Sequence, residues 1–149
     1  MPPVVRFVTV GSLKEPYLRE AVAEYRKRLS GLCRVEELEL KEARLPDRPS
    51  EAEIRAAIPP RSYPVALCVE GERLSSPALT ARLQDACRSA GSLCFIIGSS
   101  FGLDPSVKSA ARLRLSVSDL TFPHQLMRVI LLEQIYRGFR IIHHEPYHK

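Results

Sequence analysis

Leu93-Cys94-Phe95-Ile96-Ile97-Gly98 is an unbroken apolar run stopped by glycine, and it reads as a strand buried on both faces. Its neighbours decide the fold class. Upstream, Ser75-Ser76-Pro77 offers a cap and a first-turn proline, and Leu79, Leu83 and Ala86 continue a helical stripe that Gly91 closes. Downstream, Asp104-Pro105 opens another short helix, and Leu113 to Val117 (LRLSV) begins a further strand. A two-faced strand with a helix before and after it is the pattern of an α/β domain.

The alternation extends to both ends of the chain. Pro64 to Val69 (PVALCV) is a second buried strand, ended by Glu70-Gly71. Val4 to Val10 (VVRFVTV) is another, stopped by Gly11-Ser12, and residues 14 to 29 then carry Leu18, Val22, Tyr25 and Leu29 on one helical stripe. Cys33 to Leu40 (CRVEELEL) alternates, as would a strand with one wet face or an edge strand blunted by Glu36, Glu37 and Glu39. Lys41 to Ser50, with Pro46 and Pro49, reads as a surface loop, and Ser50-Glu51-Ala52-Glu53 as a capping pattern before a short helix ended by Pro59-Pro60. These elements predict a mainly parallel sheet covered by helices on both faces, with the ligand crevice at the C-terminal ends of the strands. The loops after Val69, Ile97 and Val117 compete for that role.

The last helix is announced by Thr121-Phe122-Pro123, where threonine can cap free amides and proline fits the first turn. Leu126, Val129, Ile130, Leu131, Leu132, Ile135, Tyr136 and Phe139 make it apolar on nearly every side, so it is expected to be buried by more than one neighbour. Glu133 and Arg137 form an i,i+4 pair in the favourable order.

With 149 residues and no internal repeat or linker, residues 1–149 are expected to form one domain. The four cysteines have no CxxC spacing and read as buried structural thiols. The N-terminus lacks a basic segment leading into an apolar core, and no apolar run approaches the ~20 residues that span a bilayer; a soluble, cytoplasmic protein without membrane association is expected. The net charge of +5 is concentrated late, on Arg112, Arg114, Arg128, Arg137, Arg140 and Lys149. On charge alone a solvated surface is the simpler reading, and a polyanion such as RNA is a compatible one.

Gly98-Ser99-Ser100-Phe101-Gly102 follows an apolar strand, where glycine lets backbone approach a ligand. It matches neither the dinucleotide fingerprint nor a Walker loop, so by itself it reads equally as a plain turn. His124, at a helix start, suits a neutral donor or acceptor at a pocket rim, and equally a satisfied structural histidine. His143, His144 and His148 lack ligand spacing, and no metal is expected. No Ser-His-Asp order or carboxylate pair stands out.

Taken together, Phe95-Ile96-Ile97-Gly98, Gly102-Leu103, Leu120-Thr121-Phe122-Pro123-His124-Gln125-Leu126, Arg128-Val129, Glu133-Gln134, Tyr136-Arg137 and Pro146-Tyr147-His148-Lys149 resemble the RlmH family over the full chain. Its members are small SPOUT-superfamily enzymes that use S-adenosyl-L-methionine to methylate N3 of a pseudouridine in 23S ribosomal RNA, on the assembled ribosome. The resemblance implies a C-terminal deep trefoil knot, an exception to the rule against knots, and a homodimer in which each site is completed by the partner. It places the cofactor against Leu67, Gly98, Gly102, Ser118, Asp119, Leu120, Thr121, Phe122 and Pro123. His124, Arg128, Tyr147 and His148 become the catalytic candidates. His124 would orient the base or accept from it, Arg128 and Arg137 would pair with Glu133 or face RNA phosphate, and the tail would lie over the site. A SPOUT enzyme with another RNA target and a non-catalytic knotted RNA- or ribosome-binding module are the alternatives. The chain departs from the family at Ser99, where a second glycine is usual, and at Gly138, where alanine is usual and glycine should cost ~1 kcal/mol of helix stability.

Overall fold

The structure, a computed structural model, describes residues 2–41, 51–99 and 102–149. Ten elements alternate along it: β1 (Val4–Val10), α1 (Pro16–Leu29), β2 (Arg34–Leu40), α2 (Glu51–Ala57), β3 (Tyr63–Glu72), α3 (Ser76–Ser89), β4 (Ser92–Ile97), α4 (Pro105–Ala110), β5 (Leu113–Leu115) and α5 (His124–Ile142). The strands form one sheet in the order β2-β1-β4-β3-β5, and every pairing is parallel. The expected α/β class and parallel sheet are what the structure has.

Strand periodicity divides the core into two layers. Val5 and Phe7 of β1, Leu93, Phe95 and Ile97 of β4, and Leu113 and Leu115 of β5 pack under α1, α3 and α5. Val8, Val10, Ala66, Cys94 and Ile96 point the other way, against Ile54 and Ala57 of α2 and Val107 of α4. Phe7 and Phe95 stack across the β1–β4 register with ring centroids 5.4 Å apart. Helix α5 lies against both α1 and α3. That position explains its near-continuous apolar surface, with Leu131, Leu132, Ile135, Tyr136 and Phe139 all buried.

Local chemistry starts two of the helices as expected. The Ala78 amide donates to Ser75 Oγ at 3.2 Å, and the Ser106 amide donates to Asp104 Oδ1 at 3.0 Å. Helix α5 differs: it begins at His124, its cap position is Pro123, and no side chain caps it, so Thr121 does not perform the expected role. The proposed cap at Ser50 and the loop from 42 to 50 lie outside the described residues. Strand β2 is the acidic edge strand foreseen as one of two readings, and β5 is shorter than the LRLSV run, because pairing stops at Leu115.

Strand β3 is longer than expected, and its extension is irregular. Leu115 pairs with both Leu67 and Glu72, so residues 68–71 leave the ladder and return to it. The returning chain meets β5 at backbone distance: a Cβ on Gly71 would stand 2.7 Å from the carbonyl carbons of Arg114 and Leu115. Gly138 has an analogous role in α5. A Cβ there would meet Leu83 Cδ2 at 3.0 Å and Thr80 Oγ1 at 3.1 Å, so this glycine permits close packing on α3 and is not simply a weak point in a helix.

Candidate functional site

The loops that leave β3, β4 and β5 converge at the C-terminal end of the sheet on a cleft of about 580 Å³. Leu67, Gly98 with Gly102, and the run Leu120 to Pro123 with Ser118 all line it, as does His124. Eight of the nine residues nominated for the cofactor therefore share one cavity. Asp119 is the exception: it is exposed, does not border the cleft, and pairs with Arg73.

Each loop has a physical reason for its shape. Gly98 and Gly102 close on each other, since a Cβ at Gly98 would stand 2.9 Å from the Gly102 carbonyl, and Gly102 has φ +79°. The Gly102 amide donates to the Ser99 carbonyl at 2.9 Å. Ser99 itself is not among the residues with positive φ, so serine in place of the family's second glycine is accommodated without backbone strain. In the last loop, the Leu120 amide donates to Ser118 Oγ at 3.0 Å and Ser116 Oγ donates to the Ser118 carbonyl at 3.3 Å. These local bonds hold an otherwise irregular segment in one turn.

The cleft rim is apolar and open. Val69 is 89% and Leu120 71% exposed, an arrangement that leaves hydrophobic surface available for a ligand or a partner. Several wall residues were not anticipated: Cys68, Glu70, Lys108 and Met127. Cys68 and Glu70 could have been suspected from following Leu67 at a strand end, whereas nothing in the spacing singles out Lys108. Its ammonium donates to Glu70 Oε1 at 2.6 Å and holds that carboxyl below the usual carboxylate range.

The other three catalytic candidates are elsewhere in the chain. Arg128 is 2% exposed and does not pair with Glu133. Its Nη2 donates to Thr9 Oγ1 at 2.7 Å and to Glu39 Oε2 at 2.9 Å, and Nη1 lies 3.5 Å from Glu37. It thereby ties the second turn of α5 to β1 and the acidic edge, and Arg128 does not border the cleft. Glu133 is instead held by Arg137 at 2.5 Å.

Tyr147 and His148 reach that same pair. Helix α5 ends at Ile142 with His143 as its cap, and His144, with φ of 56°, turns the chain back. Tyr147 then stands edge-on to Tyr136 at 4.9 Å, lies under the Arg137 guanidinium, and donates its hydroxyl to Glu133 at 3.3 Å. Burial, followed by the Glu133 charge, pushes the phenol up, so it stays a neutral donor. Arg137 also donates to His148 Nδ1 at 3.0 Å. Arg137 is thirteen positions beyond His124 on α5, about 20 Å at 1.5 Å per residue. Within one chain the tail and the cleft do not meet. Among the described residues no group of three metal-ligating side chains is assembled, and no helix is long and apolar enough to cross a membrane.

A family model described as "Predicted SPOUT methyltransferase" matches residues 4–148. The chain belongs to the SPOUT methyltransferase family. Two relatives are named ribosomal RNA large subunit methyltransferase H. The one from Bifidobacterium animalis subsp. lactis is 46% identical, the one from Clostridioides difficile 45%; each alignment covers 97% of this chain and 99% of the relative. Among solved structures, a probable methyltransferase from Bordetella pertussis superposes with a TM-score of 0.62 over 91% of this chain and 95% of its own. At 12% identity it speaks for the fold alone.

Proposed function

We propose that this SPOUT methyltransferase transfers a methyl group from S-adenosyl-L-methionine to N3 of a pseudouridine in 23S ribosomal RNA, acting in the cytoplasm on the assembled ribosome as a homodimer of one-domain chains. The observation that carries the reading is the convergence of Leu67, Gly98, Gly102, Ser118 and Leu120 to Pro123 on one cleft, with His124 in its wall. The cleft suits the donor: its loops offer closely approaching backbone for the polar edges of an adenosyl group, and Leu120 and Phe122 supply apolar contact. When bound, the donor supplies a methyl carbon on a positively charged sulfur. The chain's own task is alignment of the acceptor nitrogen and removal of its imide proton. His124 is assigned to that edge, where its ring can orient the base or take the proton.

The partner subunit supplies what one chain lacks. The tail sits about 20 Å along α5 from its own cleft, and the apolar rim at Val69 and Leu120 is uncovered. Both features support a dimer in which Tyr147 and His148 of one chain lie over the cleft of the other, where a tyrosine can stack on a base. A C-terminal trefoil knot belongs to the same reading, as membership of the SPOUT family implies.

Tritium transfer from labelled S-adenosylmethionine to ribosomes, free large-subunit RNA and transfer RNA tests this reading. Label in the large-subunit RNA of ribosomes is expected; label in transfer RNA alone, or no binding of the donor in calorimetry, would overturn it. His124→Ala should keep donor affinity and dimerisation while slowing transfer by about 10²-fold or more. Wild-type turnover in that variant would end the assignment.

Cysteine labelling reads the cleft independently. Burial pushes the Cys33 and Cys94 thiols up to about 12, and both should resist alkylation near pH 8. Cys68, in the cleft wall, and Cys87, outside it, should label first. S-adenosylmethionine should slow Cys68 and leave Cys87 unchanged, as mass spectrometry of the alkylated peptides would report; equal rates at Cys68 with and without donor would place the donor elsewhere.

A further inference from the structure

The late-chain positive charge can now be divided into paired and unpaired groups. Arg128 is neutralised in the core by Glu37 and Glu39, Arg137 by Glu133, and Arg140 by Glu145. Arg112 and Arg114 have no carboxylate partner among the described residues. Arg114 lies in β5 and Arg112 just before it; both are exposed, while Leu113 and Leu115 between and beyond them are buried, and the two positions are at most about 6.6 Å apart at 3.3 Å per residue.

They border a second depression, of about 400 Å³, walled also by Glu70, Glu72, Lys108 and Ser109. The groove and the methyl-donor cleft share two residues, Glu70 and Lys108. A ligand strand that passes over this paired bar runs from one depression into the other. The two carboxylates in the groove are already satisfied: Glu70 by Lys108 at 2.6 Å, and Glu72 by Arg82 at 3.1 Å. Among the described residues Arg112 and Arg114 make no ion pair there, although Arg114 acts on Glu70 through space and helps Lys108 to lower that carboxyl. Arg112 is also steadied, with its guanidinium 4.4 Å from the ring centroid of Tyr63, which is buried. A cation already held by an aromatic face loses less side-chain freedom when it binds an anion.

We infer that Arg114 on the edge strand β5 and Arg112 immediately before it form a phosphate-binding track for the substrate RNA, continuous with the methyl-transfer cleft across the Glu70–Lys108 pair. The inference rests on the functional reading above and adds the direction in which the RNA strand leaves the site. Arginines spaced along an extended edge meet successive backbone phosphates and position the strand without reading its bases. Their backbone is bonded to β3 on the inner side, and no described strand lies on the outer side, because β5 ends the sheet.

The test is the salt dependence of binding to deproteinised large-subunit RNA, between about 50 and about 200 mM salt, alongside methyl transfer to ribosomes. R112Q/R114Q should reduce the slope of log K against log salt by about 1.4, two phosphates at about 0.7 each for a single strand. Its KM for ribosomes should rise while donor affinity is unchanged. R112K/R114K, which keeps both charges, should retain the wild-type slope, and Arg88→Gln, at the end of α3, should leave it unaltered. Identical slopes for wild type and R112Q/R114Q, with active wild-type enzyme, overturn the track and leave the functional reading standing. A slope lost equally in R112K/R114K also overturns it, because a phosphate track depends on charge. Absence of transfer to ribosomal RNA by the wild type removes the functional reading, and the track falls with it.

Discussion

Arg128→Met should destabilise the protein by about 3 kcal/mol, at the lower end of what breaking a buried ion pair costs. Arg128 connects residues that are far apart in sequence, Thr9, Glu37 and Glu39, to α5, and its removal strands two carboxylates beside the core. The lower end applies because Glu37 keeps Arg26 and the Glu39 side chain is 40% exposed, so water can replace part of the lost contact. The network is also imperfect as it stands: Glu37 Oε1 and Arg128 Nε have no hydrogen-bond partner among the described residues. Neutralising the stranded acids, with Glu37→Gln and Glu39→Gln added, should therefore recover part of the loss. Urea unfolding followed by circular dichroism gives the measurement. An unchanged midpoint in Arg128→Met would mean that this arginine does not anchor α5. Because Arg128 is one turn from His124, donor affinity should weaken as well.

The second large effect is expected at Gly71. A methyl group there would sit 2.7 Å from three backbone atoms of β5, and backbone cannot rotate out of the way as a side chain can. Gly71→Ala should cost about 3 kcal/mol or more, with loss of donor binding because β5 and its loop build one wall of the cleft. Gly138→Ala makes the control. Its new methyl meets only the side chains of Leu83 and Thr80, and relief of about 1 kcal/mol in helix propensity opposes the crowding, so its urea midpoint should stay near wild type. Similar midpoints for both variants would show that the β3 excursion yields easily.

The elements whose causes are local were legible in the sequence. Phe95 and Ile96 face opposite layers, so the strand containing them had to be apolar throughout, and the caps at Ser75 and Asp104 act within three residues of themselves. The same holds for Glu133 with Arg137, one helical turn apart. The cleft was legible because its walls are the ends of those readable strands. What stayed hidden depends on distant chain segments. Nothing near Arg128 indicates that its partners lie on β1 and β2, and nothing near Asp119 indicates Arg73. Thr121 looked like a cap because Pro123 resembles a first-turn proline, yet the helix starts one residue later. The tail could be assigned to a site by resemblance, but only the turn at His144 shows which side of α5 it follows within its own chain.

The double pairing of Leu115, with Leu67 before the excursion and Glu72 after it, also constrains the order in which the chain can assemble. Strand β5 is fully paired only once residues 68–71 have left the ladder and come back, and it joins a parallel sheet whose pairings are all distant in sequence, a topology that folds slowly. The cleft, walled by the residues that follow β5, is therefore expected to form late, after the main folding barrier. Bound donor should accordingly act on the escape rate, lengthening the lifetime of the native state while leaving the refolding rate nearly as it was.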